Sequence, residues 1–123
     1  MYKIYLTDED LKVGSNYLVI ALINEAANED IICFLKNLLE GVGSGYNYTN
    51  CYFWNELDDF DKNQTPFFDG LAIENENGEE YIASLKEVTS YLEILQSRMT
   101  LNNEETHLME QLISELSNVG NGN

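Results

Sequence analysis

Asp59, Asp61, Asn63 and Thr65 stand at alternate positions, the spacing with which an EF-hand loop begins its set of oxygen ligands for calcium. The match stops there. The sixth position would be Gln64 instead of the glycine that permits the sharp turn, and the twelfth would be Gly70 instead of a bidentate glutamate. Close carboxylate pairs would also suit acid/base hydrolysis, but a chain with 22 acidic residues makes such pairs by density alone. Gly41, Gly43 and Gly45 have the spacing of a phosphate-binding loop. They follow a helical pattern, lead into a strand and lack a following lysine, so they read as a simple hinge. His107, the one histidine, has no serine or cysteine near it and reads as a surface residue. Cys33 and Cys51 lack metal-ligand spacing and read as reduced core thiols. No catalytic residue, metal or cofactor is expected, and the remaining chemistry is that of a charged surface.

The elements that must position this surface centre on residues 46 to 85. From Tyr46 to Trp54 the chain alternates, which predicts a strand with Tyr46, Tyr48, Tyr52 and Trp54 on one face and Thr49, Cys51 and Phe53 on the other. The acidic stretch from Asn55 to Phe68, with the single proline Pro66, reads as loop. Leu71 to Glu76 and Glu79 to Ala83 flank Asn77-Gly78, a strong hairpin signal because both turn residues tolerate positive φ. The flanks are helical. Tyr17 to Ala27 fits a buried strand or a buried helix, and the Asn-Glu-Ala-Ala that ends it favours helix. A second helix follows with Asn28 as N-cap, Glu29 and Asp30 in its first turn, an apolar stripe of Ile31, Ile32, Leu35, Leu38 and Leu39, and Gly41 at its end. Ser84 and Glu87 form a capping box ahead of Val88, Tyr91, Leu92, Leu95 and Met99. The last helix begins near Asn102 or Asn103 and buries Leu108, Met109, Leu112, Ile113 and Leu116, with residues 118 to 123 fraying. Tyr2 to Leu6 is a short strand or a mobile start, and Thr7 to Asp10 caps a helical turn. The expectation is an α+β fold: a small antiparallel sheet of three to four strands covered by about four α-helices, in one domain spanning residues 1 to 123.

Composition excludes several classes of function. The 22 acidic residues face 6 basic ones, for a net charge of −16, which repels nucleic acid and anionic membrane. A 44% hydrophobic content with eight Tyr and five Phe argues for a folded chain. The first residues, MYKIYLTDEDLK, lack the apolar core of a secretory signal, and the most apolar run, Tyr17 to Ile23, is too short to span a bilayer. A cytoplasmic location is expected. Between Trp54 and Tyr81, nine acidic residues face Lys62 alone, a local charge of −8.

Short motifs add a resemblance. Phe34-Leu35-Lys36 in an early helix is followed by the glycine-rich turn and by Tyr46-Asn47-Tyr48 leading to Cys51-Tyr52-Phe53. Then come the acidic loop, Phe68-Asp69-Gly70-Leu71, a glutamate-rich hairpin and the helix from Ser84 to Leu95. Over residues 31 to 116 this order resembles a family of bacterial immunity proteins, the antidotes that neutralise ribonuclease toxins of contact-dependent growth inhibition systems. Trp54-Asn55 stands where that family often has proline. The resemblance implies a non-enzymatic protein whose partner is the C-terminal nuclease domain of a cognate toxin, of EndoU or pancreatic type, bound 1:1.

An acidic rim with embedded aromatics would complement the basic cleft of such a ribonuclease and steer association at rates approaching roughly 10⁸ to 10⁹ M⁻¹s⁻¹. The candidate anchors are Tyr46, Tyr48, Trp54 and Phe60. The candidate phosphate surrogates are Glu56, Asp58, Asp59 and Asp61 in the loop and Glu74, Glu76, Glu79 and Glu80 on the hairpin. Two other readings fit the same residues: a nucleic-acid mimic that inhibits other basic proteins, and a small carboxylate hydrolase.

Overall fold

The computed structural model describes residues 2–121. Nine elements follow one another: α1 (Tyr17–Glu29), α2 (Ile31–Glu40), β1 (Ser44–Gly45), β2 (Thr49–Phe53), α3 (Asp59–Gln64), β3 (Leu71–Asn75), β4 (Glu80–Ala83), α4 (Leu85–Arg98) and α5 (Asn103–Asn121). Short 3-10 turns at Asp8–Asp10 and Trp54–Glu56 complete the order. The four strands form one antiparallel sheet in chain order, a meander, so the fold is α+β as expected.

The helices lie against one face of this sheet. α1 crosses β2, β3 and β4, while α4 and α5 pack on each other and α5 reaches α2. Four of the helices offer the core an apolar stripe: Leu18, Val19, Leu22 and Ile23 from α1, Phe34, Leu35 and Leu38 from α2, Val88, Tyr91, Leu92 and Leu95 from α4, and Met109, Leu112, Ile113 and Leu116 from α5. Cys51, Leu71, Ile73 and Ala83 meet them from the sheet. The side chains at the intervening strand positions face away from this core.

Helix boundaries follow local hydrogen bonding. Asn16 opens α1 by accepting the Leu18 N–H at 2.9 Å. Asp30, not Asn28, caps α2: its carboxylate accepts the Cys33 N–H at 3.1 Å while its own N–H closes α1 on the Ala26 carbonyl. Asn28 instead lies inside α1 and reaches the amino-terminal segment. There its amide exchanges two hydrogen bonds with the Lys3 backbone, at 2.8 and 2.7 Å, and Asn24 does the same for Tyr5 and Leu6. Residues 2 to 6 therefore run extended against α1 without joining the sheet. Thr7 caps the turn after them. Gly41 ends α2 at φ 73°.

Four further expectations are corrected. The stretch from Asn55 to Phe68 is not all loop, since Asp58 caps the six-residue α3 by accepting the Asp61 N–H at 2.8 Å. The glycine-rich connection is not a free hinge, because Ser44 and Gly45 pair with Cys51 and Asn50 as an edge strand. Ser84 caps α4, but the Glu87 carboxylate completes no box and instead accepts the Tyr81 hydroxyl at 2.9 Å and the Ser15 hydroxyl. Helix α5 runs on through Asn121, past the point expected to fray, and residues 122 and 123 lie outside the described residues. In the hairpin only Gly78 takes positive φ, at 82°, and Asn77 does not. The Asn75 side chain bridges the turn, accepting the Asn77 and Glu79 N–H groups at 3.0 Å each.

Candidate partner-binding face

Strand register arranges the outer face of the sheet in two rows. Tyr52, Ala72 and Ile82 are aligned across β2, β3 and β4, and Asn50, Glu74 and Glu80 form the next row toward the hairpin turn. No helix of the core covers these rows. The segment after α3 folds over one side instead: Phe68 is buried and meets Tyr52 edge-on at 5.8 Å, while Trp54 stands edge-on to Phe67 at 5.4 Å and to Phe68 at 5.7 Å. Between this aromatic wall and Ile82 remains a groove of about 560 Å³, lined by Tyr52, Phe67, Phe68, Ala72, Glu80 and Ile82 among others. Ile82 is 46% exposed and Phe67 72%.

The electrostatics of the groove come from the second row. Glu74 and Glu80 oppose each other directly, and the Tyr52 hydroxyl donates to Glu80 at 3.4 Å. Burial, and then the two glutamates, push the Tyr52 phenol up to about 12, so it remains a protonated donor at physiological pH. Among the described residues the ion pair formed is Arg98–Asp10, at the end of α4. Among the described residues the carboxylates of the sheet face form no ion pair.

The sequence-predicted residues divide. Tyr46 is not on the aromatic face: its ring turns into the core against Phe34, 6.3 Å away, and burial pushes its phenol up to about 12. The cause is a bend, closed by the Tyr46 N–H on the Thr49 carbonyl at 2.8 Å, that breaks the alternation ahead of β2. Tyr48 is 61% exposed beside the hairpin, where its carbonyl accepts the Glu76 N–H. Trp54 is half-buried and packs edge-on against Phe67 and Phe68, which line the groove, and Phe60 projects from α3 into solvent.

Of the acids, Asp59 and Asp61 are exposed on α3, and Glu76 is exposed at the turn. Three others are occupied. Glu56 accepts the Gly43 and Phe53 N–H groups at 2.8 Å each, Asp58 caps α3, and Glu79 accepts from Tyr17 and Asn75, which hold its carboxyl below the usual range. Acidic groups therefore gather at both ends of the sheet face, with the apolar groove between them. β2 spans about 13 Å between these ends at the usual rise per residue.

Reasoning from sequence missed the groove itself. Its signal was the outward parity of Ala72 and Ile82 with Tyr52, readable only once the strands are in register. The cysteines divide: Cys51 is a buried free thiol as expected, pushed up to about 11 by burial, whereas Cys33 is free but exposed instead of in the core. Of the positions offered for calcium, Asp59, Asp61 and Asn63 lie on α3, where alternate residues diverge around the helix, and Thr65 follows its end. Among the described residues no group of three or more His, Cys, Asp or Glu is arranged to hold a metal ion. His107 is exposed on α5. No helix of the described residues is long and apolar enough to cross a membrane.

The class these features define is a small α+β domain with one sheet face covered by helices and the other open, apolar in its middle and acidic at its ends. Comparisons with protein-family models, with curated proteins and with solved structures find no match for the chain.

Proposed function

We propose that this chain is a non-enzymatic cytoplasmic inhibitor that binds a basic ribonuclease domain through its open sheet face, as an immunity protein of the contact-dependent growth inhibition type. The observation that carries this reading is the apolar groove set between carboxylates that form no ion pair among the described residues. A basic cleft supplies their counter-ions. Long-range attraction between the −16 chain and a cationic domain speeds encounter, and burial of Ile82, Phe67 and the Trp54 edge slows escape. Occlusion of the cleft excludes RNA, and no chemical step by the inhibitor is required.

The test is reconstitution with the ribonuclease domain encoded next to this chain. A 1:1 complex in which RNA cleavage stops is the expected result. Unimpeded cleavage with no complex overturns the reading. Comparable binding to several unrelated basic proteins replaces it with a broad nucleic-acid mimic.

A further inference from the structure

Glu80 lines the groove, and Glu74 stands next to it on β3. Glu74 and Glu80 are paired directly across β3 and β4, an arrangement that repels in a sheet unless a cation lies between the carboxylates. Tyr52, in the adjoining row, turns its hydroxyl toward Glu80 and its ring toward the groove wall formed by Phe68. Beyond Tyr52 the floor is apolar, made by Ala72 and Ile82, and the groove at about 560 Å³ is far larger than one guanidinium requires.

We propose that this groove seats an arginine together with an apolar side chain of the partner protein. The arginine lies between Glu74 and Glu80 against Tyr52, and the apolar side chain fills the space over Ala72 between Phe68 and Ile82. This inference rests on the reading that the open face receives a basic protein. Arginine is favoured over lysine because its planar fork engages two carboxylates at once and stacks on an aromatic ring. The apolar companion follows from the floor, since a cation alone would leave Ile82 and Phe67 in water. Successive side chains on one face of a strand are about 7 Å apart, which also separates the two rows. The partner therefore presents the two residues at i and i+2 of an extended segment.

Two arms test the assignment. In the first, the ribonuclease domain is titrated with the Glu74→Gln/Glu80→Gln variant and with Asp59→Asn/Asp61→Asn, all four positions lying outside the core. The groove variant is expected to bind roughly 30-fold more weakly through faster dissociation, whereas the α3 variant chiefly slows association. Full affinity in the groove variant, with loss in the α3 variant, overturns the groove assignment while leaving the inhibitor reading intact.

The second arm needs no ribonuclease. The peptide Ac-Arg-Thr-Leu-NH2 is added to the free chain and followed by the fluorescence of Trp54, its one tryptophan, which packs edge-on against Phe67 and Phe68 of the groove wall. A saturable change with a Kd of roughly 1 to 10 mM is expected. It should vanish when citrulline replaces arginine and in the Glu74→Gln/Glu80→Gln variant. An equal response to the citrulline peptide, or no saturable response, overturns the proposal whatever the first arm gives. Failure of the wild-type chain to bind the ribonuclease, with the peptide response intact, removes the inhibitor reading alone.

Discussion

Thr49 donates its hydroxyl to the buried carboxylate of Glu25 at 2.7 Å, and the same carboxylate accepts the Tyr48 N–H at 3.1 Å. One acid inside α1 thus ties the first residue of β2 to the helix beneath it. Glu25→Ala removes the acceptor of the buried Thr49 hydroxyl and of the part-buried Tyr48 N–H. The expected loss is about 3 kcal/mol in urea unfolding, with Thr49→Val losing about 1 kcal/mol. Unchanged midpoints in both variants would show that the tie does not hold the strand.

The same tie illustrates what sequence reasoning can and cannot reach. The hairpin and the α2, α4 and α5 helices were legible because their signals are local: Asn77-Gly78, Gly41, Ser84 and apolar residues at helical spacing. Glu25 looks like any acid until the strand arrives above it. Tyr46 fails the period-two pattern because a bend resets the alternation. Helix α3 has six residues and buries none, so no apolar stripe announces it, and Asp58 is its one cue. The acidic character of the site was plain in composition. Which acids are free was not, because Glu56 and Glu79 are engaged by groups distant in sequence, Gly43 and Tyr17.

Gly43 should tolerate no side chain. A Cβ built there would lie 2.0 Å from the Cys51 carbonyl oxygen, so β1 and β2 would have to part. Gly78, by contrast, has open space around its Cβ position and resists substitution only through its φ of 82°. Gly43→Ala is expected to lower stability by about 3 kcal/mol and Gly78→Ala by about 1 kcal/mol. Equal losses measured in denaturant would contradict the close approach at Gly43.

Asp10 gives the fold an acid-sensitive clasp. Two hydrogen bonds from the Arg98 guanidinium, at 2.7 Å each, and the Thr7 N–H hold its carboxyl well below the usual carboxylate range. A depressed folded-state value stabilises the folded chain above the ordinary carboxylate range and loses that effect as pH falls through the folded value. The wild-type chain should therefore unfold at higher temperature than Asp10→Asn near pH 6, and the difference should shrink as pH drops below about 4. A difference independent of pH would assign the effect to packing. Arg98 also donates to the Tyr5 carbonyl at 2.7 Å, so Arg98→Met should additionally speed amide exchange in the amino-terminal segment.

The pairing of Glu74 with Glu80 predicts opposite effects on the free and bound chain. In the free chain the two glutamates stand opposite each other across β3 and β4, and the Tyr52 hydroxyl donates to Glu80. Neutralising one relieves repulsion, so Glu80→Gln should raise the melting temperature by roughly 2 °C, about 0.5 kcal/mol, in low salt. The gain should fade at high ionic strength, where exposed charges are screened. When a cationic partner is bound, the same two carboxylates become favourable, and linkage then stabilises the wild-type chain more than the variant. Melting curves with and without the ribonuclease domain should therefore cross in rank: variant above wild type alone, wild type above variant in the complex. A variant more stable in both states would mean that the partner does not use this pair.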